Sequence, residues 1–108
     1  MGDRGQVLMV DEKVYLYTHW NATELAETVR RALARRQRWS DSEYLARIIF
    51  CEMVGDDVKG ETGFGIGTGR HGDIWREVSV DCEKQIVTIK DRDESKEYTF
   101  EKFIQGGE

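Results

Sequence analysis

Thr62-Gly63-Phe64-Gly65-Ile66-Gly67-Thr68-Gly69 sets a glycine at every second position. Strand side chains alternate between faces with a period of two. An extended 62–69 segment therefore has a bare face at Gly63, Gly65, Gly67 and Gly69, and a covered face at Phe64, Ile66 and Thr68. Glycine inside a strand costs roughly 0.5–1 kcal/mol relative to alanine. Four in register call for close approach by something else: a helix packed tightly on a bent strand, a neighbouring strand, a ligand or a partner's backbone. No Gly-Lys-Ser/Thr follows, so this is not a P-loop. Gly67-Thr-Gly69-Arg-His-Gly72 has Gly-x-Gly-x-x-Gly spacing, but without a following helical pattern it lacks the context of a dinucleotide site.

Upstream, Gln6 to Val10 and Val14 to Trp20 are apolar runs separated by Asp11-Glu12-Lys13, a short hairpin loop. Val14, Leu16, Thr18 and Trp20 share one face of the second run, and Tyr15, Tyr17 and His19 the other. Bulk on both faces predicts a strand with something packed on each side. Asn21 with Glu24 reads as an N-cap and capping-box variant opening a helix with Leu25, Val29 and Leu33 on one stripe, fading near Gln37. Ser40 with Glu43 opens a second helix, and Gly55 ends it.

Downstream, Ile74 to Asp81 and Gln85 to Lys90 read as a hairpin around Cys82-Glu83-Lys84, and 97–99 as a last strand. Phe100, Phe103 and Ile104 make one helical turn closed by Gly106, with Gly106, Gly107 and Glu108 a frayed end. The 108 residues thus form a single α+β domain, 1–108. It consists of an antiparallel sheet of five or six strands with a two-helix hairpin on one face, in the order ββ-αα-ββββ with a short C-terminal helix. Core candidates are Trp20, Leu25, Val29, Leu33, Leu45, Ile48, Ile49, Phe64, Ile66, Val78, Val80, Val87 and Ile89.

The net charge is -5, and five arginines lie between Arg30 and Arg38. Arg31 and Arg35 share a helix face suited to phosphate or carboxylate. In a negatively charged chain, a solvated face paired with Glu27, Glu43 and the acidic 91–97 segment is favoured over nucleic-acid binding. Cys51, among Ile48, Ile49 and Met53, reads as a small buried hydrophobe, and Cys82 as an exposed turn residue. The two have no metal-ligand spacing, and the chain has 2 histidines, so neither metal nor cofactor is expected. No apolar leader or membrane-length apolar run is seen, which reads as a reduced, cytoplasmic protein without membrane contact.

The Gly2-Asp-Arg-Gly5 opening, Val14-Tyr-Leu-Tyr-Thr-His-Trp20 and Arg47-Ile-Ile-Phe50 resemble segments of small microbial or phage-borne proteins. The resemblance implies no activity and no site residues.

No catalytic set converges in the sequence. The binding candidates are Tyr15, Tyr17, His19, Trp20, Arg31, Arg35, Gly65, Gly67 and Arg70. They suggest a non-enzymatic binding or regulatory module working through a protein partner or a homodimer. A phosphate-bearing ligand held by His19 near the glycine strand is the first alternative, and nucleic acid on the arginine helix the second.

Overall fold

The computed structural model describes residues 3–106; Gly2 of the opening motif and, of the frayed end expected at 106–108, residues 107–108 lie outside them. The apolar runs pair as β1 (Gly5–Met9) and β2 (Val14–Thr18). Their loop contains neither Gly nor Asn, and Lys13 takes the left-handed conformation at φ 58°. β3 (Phe64–Gly67) adds to the far side of β2, while β4 (Arg76–Asp81), β5 (Ile86–Asp91) and β6 (Ser95–Thr99) continue from β1. The order is β3-β2-β1-β4-β5-β6.

This is the expected α+β layout, with one refinement: the sheet is mixed, because β1 and β4 run parallel. β3 runs antiparallel to β2 and takes its free edge, leaving the other edge of β1 for β4. β3 and β4 therefore run the same way on opposite sides of β1 and β2. A parallel connection must travel back along the sheet, so residues 68–75 cross one of its faces.

The other face carries the core. Val7 and Met9 (β1), Leu16 (β2), Val78 and Val80 (β4), and Val87 and Ile89 (β5) are buried there by the period-two alternation. Leu25, Val29 and Leu33 of α1 (Leu25–Ala34) and Leu45, Ile49 and Met53 of α2 (Ser42–Val54) cover them. Phe100 and Phe103 of α3 (Phe100–Ile104) close the end over β5 and β6. Gly5 lets β1 pass the start of the helical region: a Cβ there would lie 2.8 Å from the Ala22 Cβ and 2.9 Å from the Arg76 carbonyl oxygen. Among the described residues, no helix is long and apolar enough to cross a membrane.

Several expectations are corrected. Trp20 and Ile66 are not core residues; they are 45% and 64% exposed. β3 is an edge strand: its Phe64 packs against the margin of the core, but the same side looks outward at Ile66. No helix presses on the glycine face: a Cβ at Gly65, Gly67 or Gly69 would meet nothing within 4 Å. Regular extension covers 64–67 rather than 62–69. Cys51 is exposed and Cys82 buried, the reverse of expectation. α2 presents Leu45, Ile49 and Met53 inward, which turns Cys51 away, whereas Cys82 sits against the core beyond β4.

The capping residues also differ. Asn21 makes no side-chain cap, and a 3-10 turn over Ala22–Glu24 precedes α1. Its donors are met by Asp3, whose backbone oxygen accepts from Ala22 N–H and whose carboxylate accepts from Thr23 N–H. Asp41, not Ser40, caps α2 by accepting from Tyr44 N–H. α1 ends at Ala34, before Gln37. Gly55, at φ 55°, ends α2 as expected.

Candidate functional site

The sheet face away from the helices gathers most of the candidates. Tyr15 and Tyr17 project onto it from β2, opposite Gly67 and Gly65 of β3. Gln6 lies on the other side of Tyr17, and Glu77 beyond Gln6. The glycine face and the tyrosine row are thus one surface. The 68–75 connection straps across part of it. The His71 ring stacks on Tyr17 with centroids 4.1 Å apart, and its backbone N–H donates to Gln6 Oε1 at 3.3 Å. Gln6 Nε2 and Arg70 Nε both donate to Glu77 Oε1, at 2.7 and 3.1 Å. The strap buries Gln6 and Glu77 as a hydrogen-bonded set, which is how polar groups are tolerated there.

His19 extends the row past the end of β2. The Tyr17 hydroxyl lies 3.2 Å from His19 Nδ1, so Tyr17 touches both histidines of the chain. Burial pushes the Tyr17 phenol above its ordinary pKa, and the negative charge of Asp73 adds to this. Asp73 is itself paired with Arg4. A cavity of about 250 Å³ opens beside the Arg70–Glu77 pair, walled also by Trp75, Arg76, Lys90 and Arg92, and one of about 410 Å³ lies beside Trp75 and Asp91–Glu94.

Trp20 packs at the start of β3. Its ring meets Phe64 edge-on at 6.0 Å and His19 at 5.9 Å. Gly63, at φ 101°, lies directly beneath it: a Cβ there would fall 2.2 Å from the indole ring. Close approach therefore occurs at Gly63, at the end of the glycine run.

The β3 edge completes this region. His19 N–H donates to the Gly63 carbonyl at 2.8 Å, and the pairing continues through Tyr17–Gly65 and Tyr15–Gly67. In an antiparallel ladder, alternate residues of a strand direct N–H and C=O to the same neighbour. The glycines therefore bond inward to β2, while Phe64 and Ile66 point their backbone donors and acceptors away from the sheet. Among the described residues, β2 is the one strand bonded to β3. From Thr62 to Gly69 no residue carries a charge. The opposite edge, β6, carries Lys96 and Glu97, side chains that discourage edge pairing.

Arg31 and Arg35 stand apart from this surface, on the helical layer. Both bond Glu52 of α2, whose carboxyl the Arg35 hydrogen bond holds below the ordinary range, burial opposing and Arg31 assisting. Arg36 makes a two-pronged pair with Glu101, Arg38 lies 3.8 Å from Asp41, and Arg30 pairs with Glu27. Among the described residues, no group of three or more His, Cys, Asp or Glu is placed to hold a metal ion.

Sequence reasoning missed Ile66 and the outward backbone of Phe64. The signal was present in the uncharged 62–69 stretch, but an apolar residue on a strand reads as core unless the strand's place in the sheet is known. No family model, curated protein or solved structure matches the chain.

Proposed function

We propose that the chain is a non-enzymatic binding module that acts through protein contacts, with the β3 edge and Trp20 as its contact surface. The observation that carries this reading is an uncharged edge strand with outward backbone groups at Phe64 and Ile66 and an exposed Ile66 side chain. Such an edge accepts an added strand: main-chain bonds supply affinity, and alternate side chains supply selectivity. Natural sheets blunt idle edges with shortness, charge, proline or bulges; β3 is short, at 4 residues, but carries no charge, proline or bulge over that length. A photo-crosslinking residue at position 66, expressed in the native host, should capture a protein, and the same probe at position 97 on β6 should not. Equal or absent capture at the two positions overturns the reading.

A second reading keeps a phosphate-bearing ligand at the end of the tyrosine row. It is favoured by the convergence of His19 and His71 on Tyr17 with Arg70 nearby. Histidine resonances that stay unmoved on titration with inorganic phosphate would dismiss it. Nucleic acid on α1 is the least supported, because Arg31 and Arg35 already share Glu52.

A further inference from the structure

We infer that the cleft between the end of α1 and the start of α2 binds a small phosphate-bearing molecule, held by Arg38 and Arg47 with Arg35 beside them. The cleft measures about 600 Å³ and is walled by Arg35, Gln37, Arg38, Tyr44, Arg47 and Ile48. That volume is in the range of small-molecule sites. Its walls hold three guanidinium groups and no carboxylate, in a chain of net charge -5. The site is separate from the β3 edge and from the Tyr17 row, and goes beyond the binding-module reading.

The carboxylates at this end of the molecule leave Arg38 and Arg47 available. Glu52 takes Arg31 and Arg35, so Arg35 is a shared member of the site. Asp41 lies 3.8 Å from Arg38, beyond hydrogen-bond reach. With Asp11, Glu12 and Glu43 it lines a different hollow, which Arg38 also borders. Arg47 follows Glu43 by one turn of α2, yet among the described residues its guanidinium has no ion pair or hydrogen bond. Tyr44, Arg47 and Ile48 stand at i, i+3 and i+4, so one face of α2 presents all of them to the cleft. Guanidinium groups fork onto carboxylate and phosphate alike. Three such groups exceed what the two oxygens and single charge of one carboxylate can use, whereas a phosphate monoester offers three oxygens and about two charges.

The backbone holds Arg38 in position at a cost. Arg38 takes the left-handed conformation at φ 60°, which favours glycine. The turn around it is fixed on both sides: Trp39 Nε1 donates to the Leu33 carbonyl at 3.0 Å, and Asp41 N–H donates to the Arg38 carbonyl at 3.1 Å. The Arg38 guanidinium lies over the Tyr44 ring, 4.5 Å from its centroid. A glycine would serve the turn with less strain, so the arginine is there for its side chain.

Nuclear magnetic resonance titration tests the site, with inorganic pyrophosphate as the probe and malonate as the carboxylate control, at about 0.15 M salt to screen loose surface charge. Pyrophosphate should shift the Arg38 and Arg47 Nε–H and the Tyr44 ring resonances, and malonate should bind measurably more weakly. Histidine shifts report the Tyr17 row separately. Arg38→Gly relieves the left-handed turn, so it should melt within about 4 °C of the parent chain while weakening pyrophosphate at least about tenfold. Arg47→Gln, on an exposed helix position, should do the same. Absent shifts at the cleft, malonate binding as tightly as pyrophosphate, or full affinity in either variant overturns the site. None of these results bears on capture at position 66, which tests the binding-module reading by itself.

Discussion

At the scale of single residues, the glycines divide by what surrounds them. Gly5 and Gly63 are held against other atoms, whereas Gly65 and Gly67 face open space. Gly5→Ala forces a methyl against the Ala22 side chain and the Arg76 carbonyl and should destabilise the fold by about 1–3 kcal/mol. Gly67→Ala removes chain entropy from the unfolded state without a clash and should be neutral or stabilising by up to ~1 kcal/mol. Urea unfolding of the two variants measures the contrast. The alternation identified a strand, but it could not say which glycines were required, because that depends on neighbours remote in the chain.

The cysteines make the same point through reactivity. Burial pushes the Cys82 thiol up to about 11, with the charges of Asp11, Glu12 and Asp81 adding to this and the Ser42 hydroxyl opposing. A raised folded-state pKa favours the neutral form, so the associated stability is fully present below pH ~9 and is lost as pH rises towards 11. At pH 8 an aromatic disulfide reagent should label the exposed Cys51 promptly, and Cys82 only after denaturation. Prompt labelling of two thiols in the native chain would contradict the burial of Cys82.

Among the elements, α1 and α2 are joined by more than their apolar stripes. Arg31 and Arg35 converge on Glu52, whose depressed pKa means that the pair contributes above the ordinary carboxylate value of 4.5 and is lost as pH falls through the folded value. The pair is partly exposed, so Glu52→Gln should cost only about 0.5–1 kcal/mol at pH 7. The difference from the parent chain should shrink as pH falls below 4.5, which melting at pH 7 and across the acid range measures. The helices themselves were legible from Leu25, Val29 and Leu33 and from Leu45 and Ile49, because a 3.6-residue period is a local property. Their first turns were not. Asn21 has the right chemistry for a cap, yet the chain brings Asp3 to the turn instead, and the same carboxylate accepts the Trp75 indole N–H at 2.6 Å.

For the whole molecule, stability and recognition occupy different places. The core lies between one face of the sheet and three helices, and the proposed contact lies at an edge those helices do not cover. Phe103→Ala removes a fully buried ring and should cost about 3–5 kcal/mol. Ile66→Lys should change unfolding by less than ~0.5 kcal/mol. Comparable losses of stability in both variants would mean that β3 is part of the core.

The amino-acid sequence alone determined the kind and order of the elements, since hydrophobic period and glycine punctuation act over a few neighbouring positions. It also placed Leu25, Val29, Leu33, Val78, Val80 and Val87 in the interior. Strand order was decided only in three dimensions. Once β3 took the outer side of β2 and β4 paired in parallel with β1, Ile66 and Trp20 became surface residues and the 68–75 connection had to cross the face bearing Tyr17. Pairing partners are distant in the chain, and an edge strand and a central strand can share one local pattern, so the position that exposes Ile66 is a property of the assembled sheet.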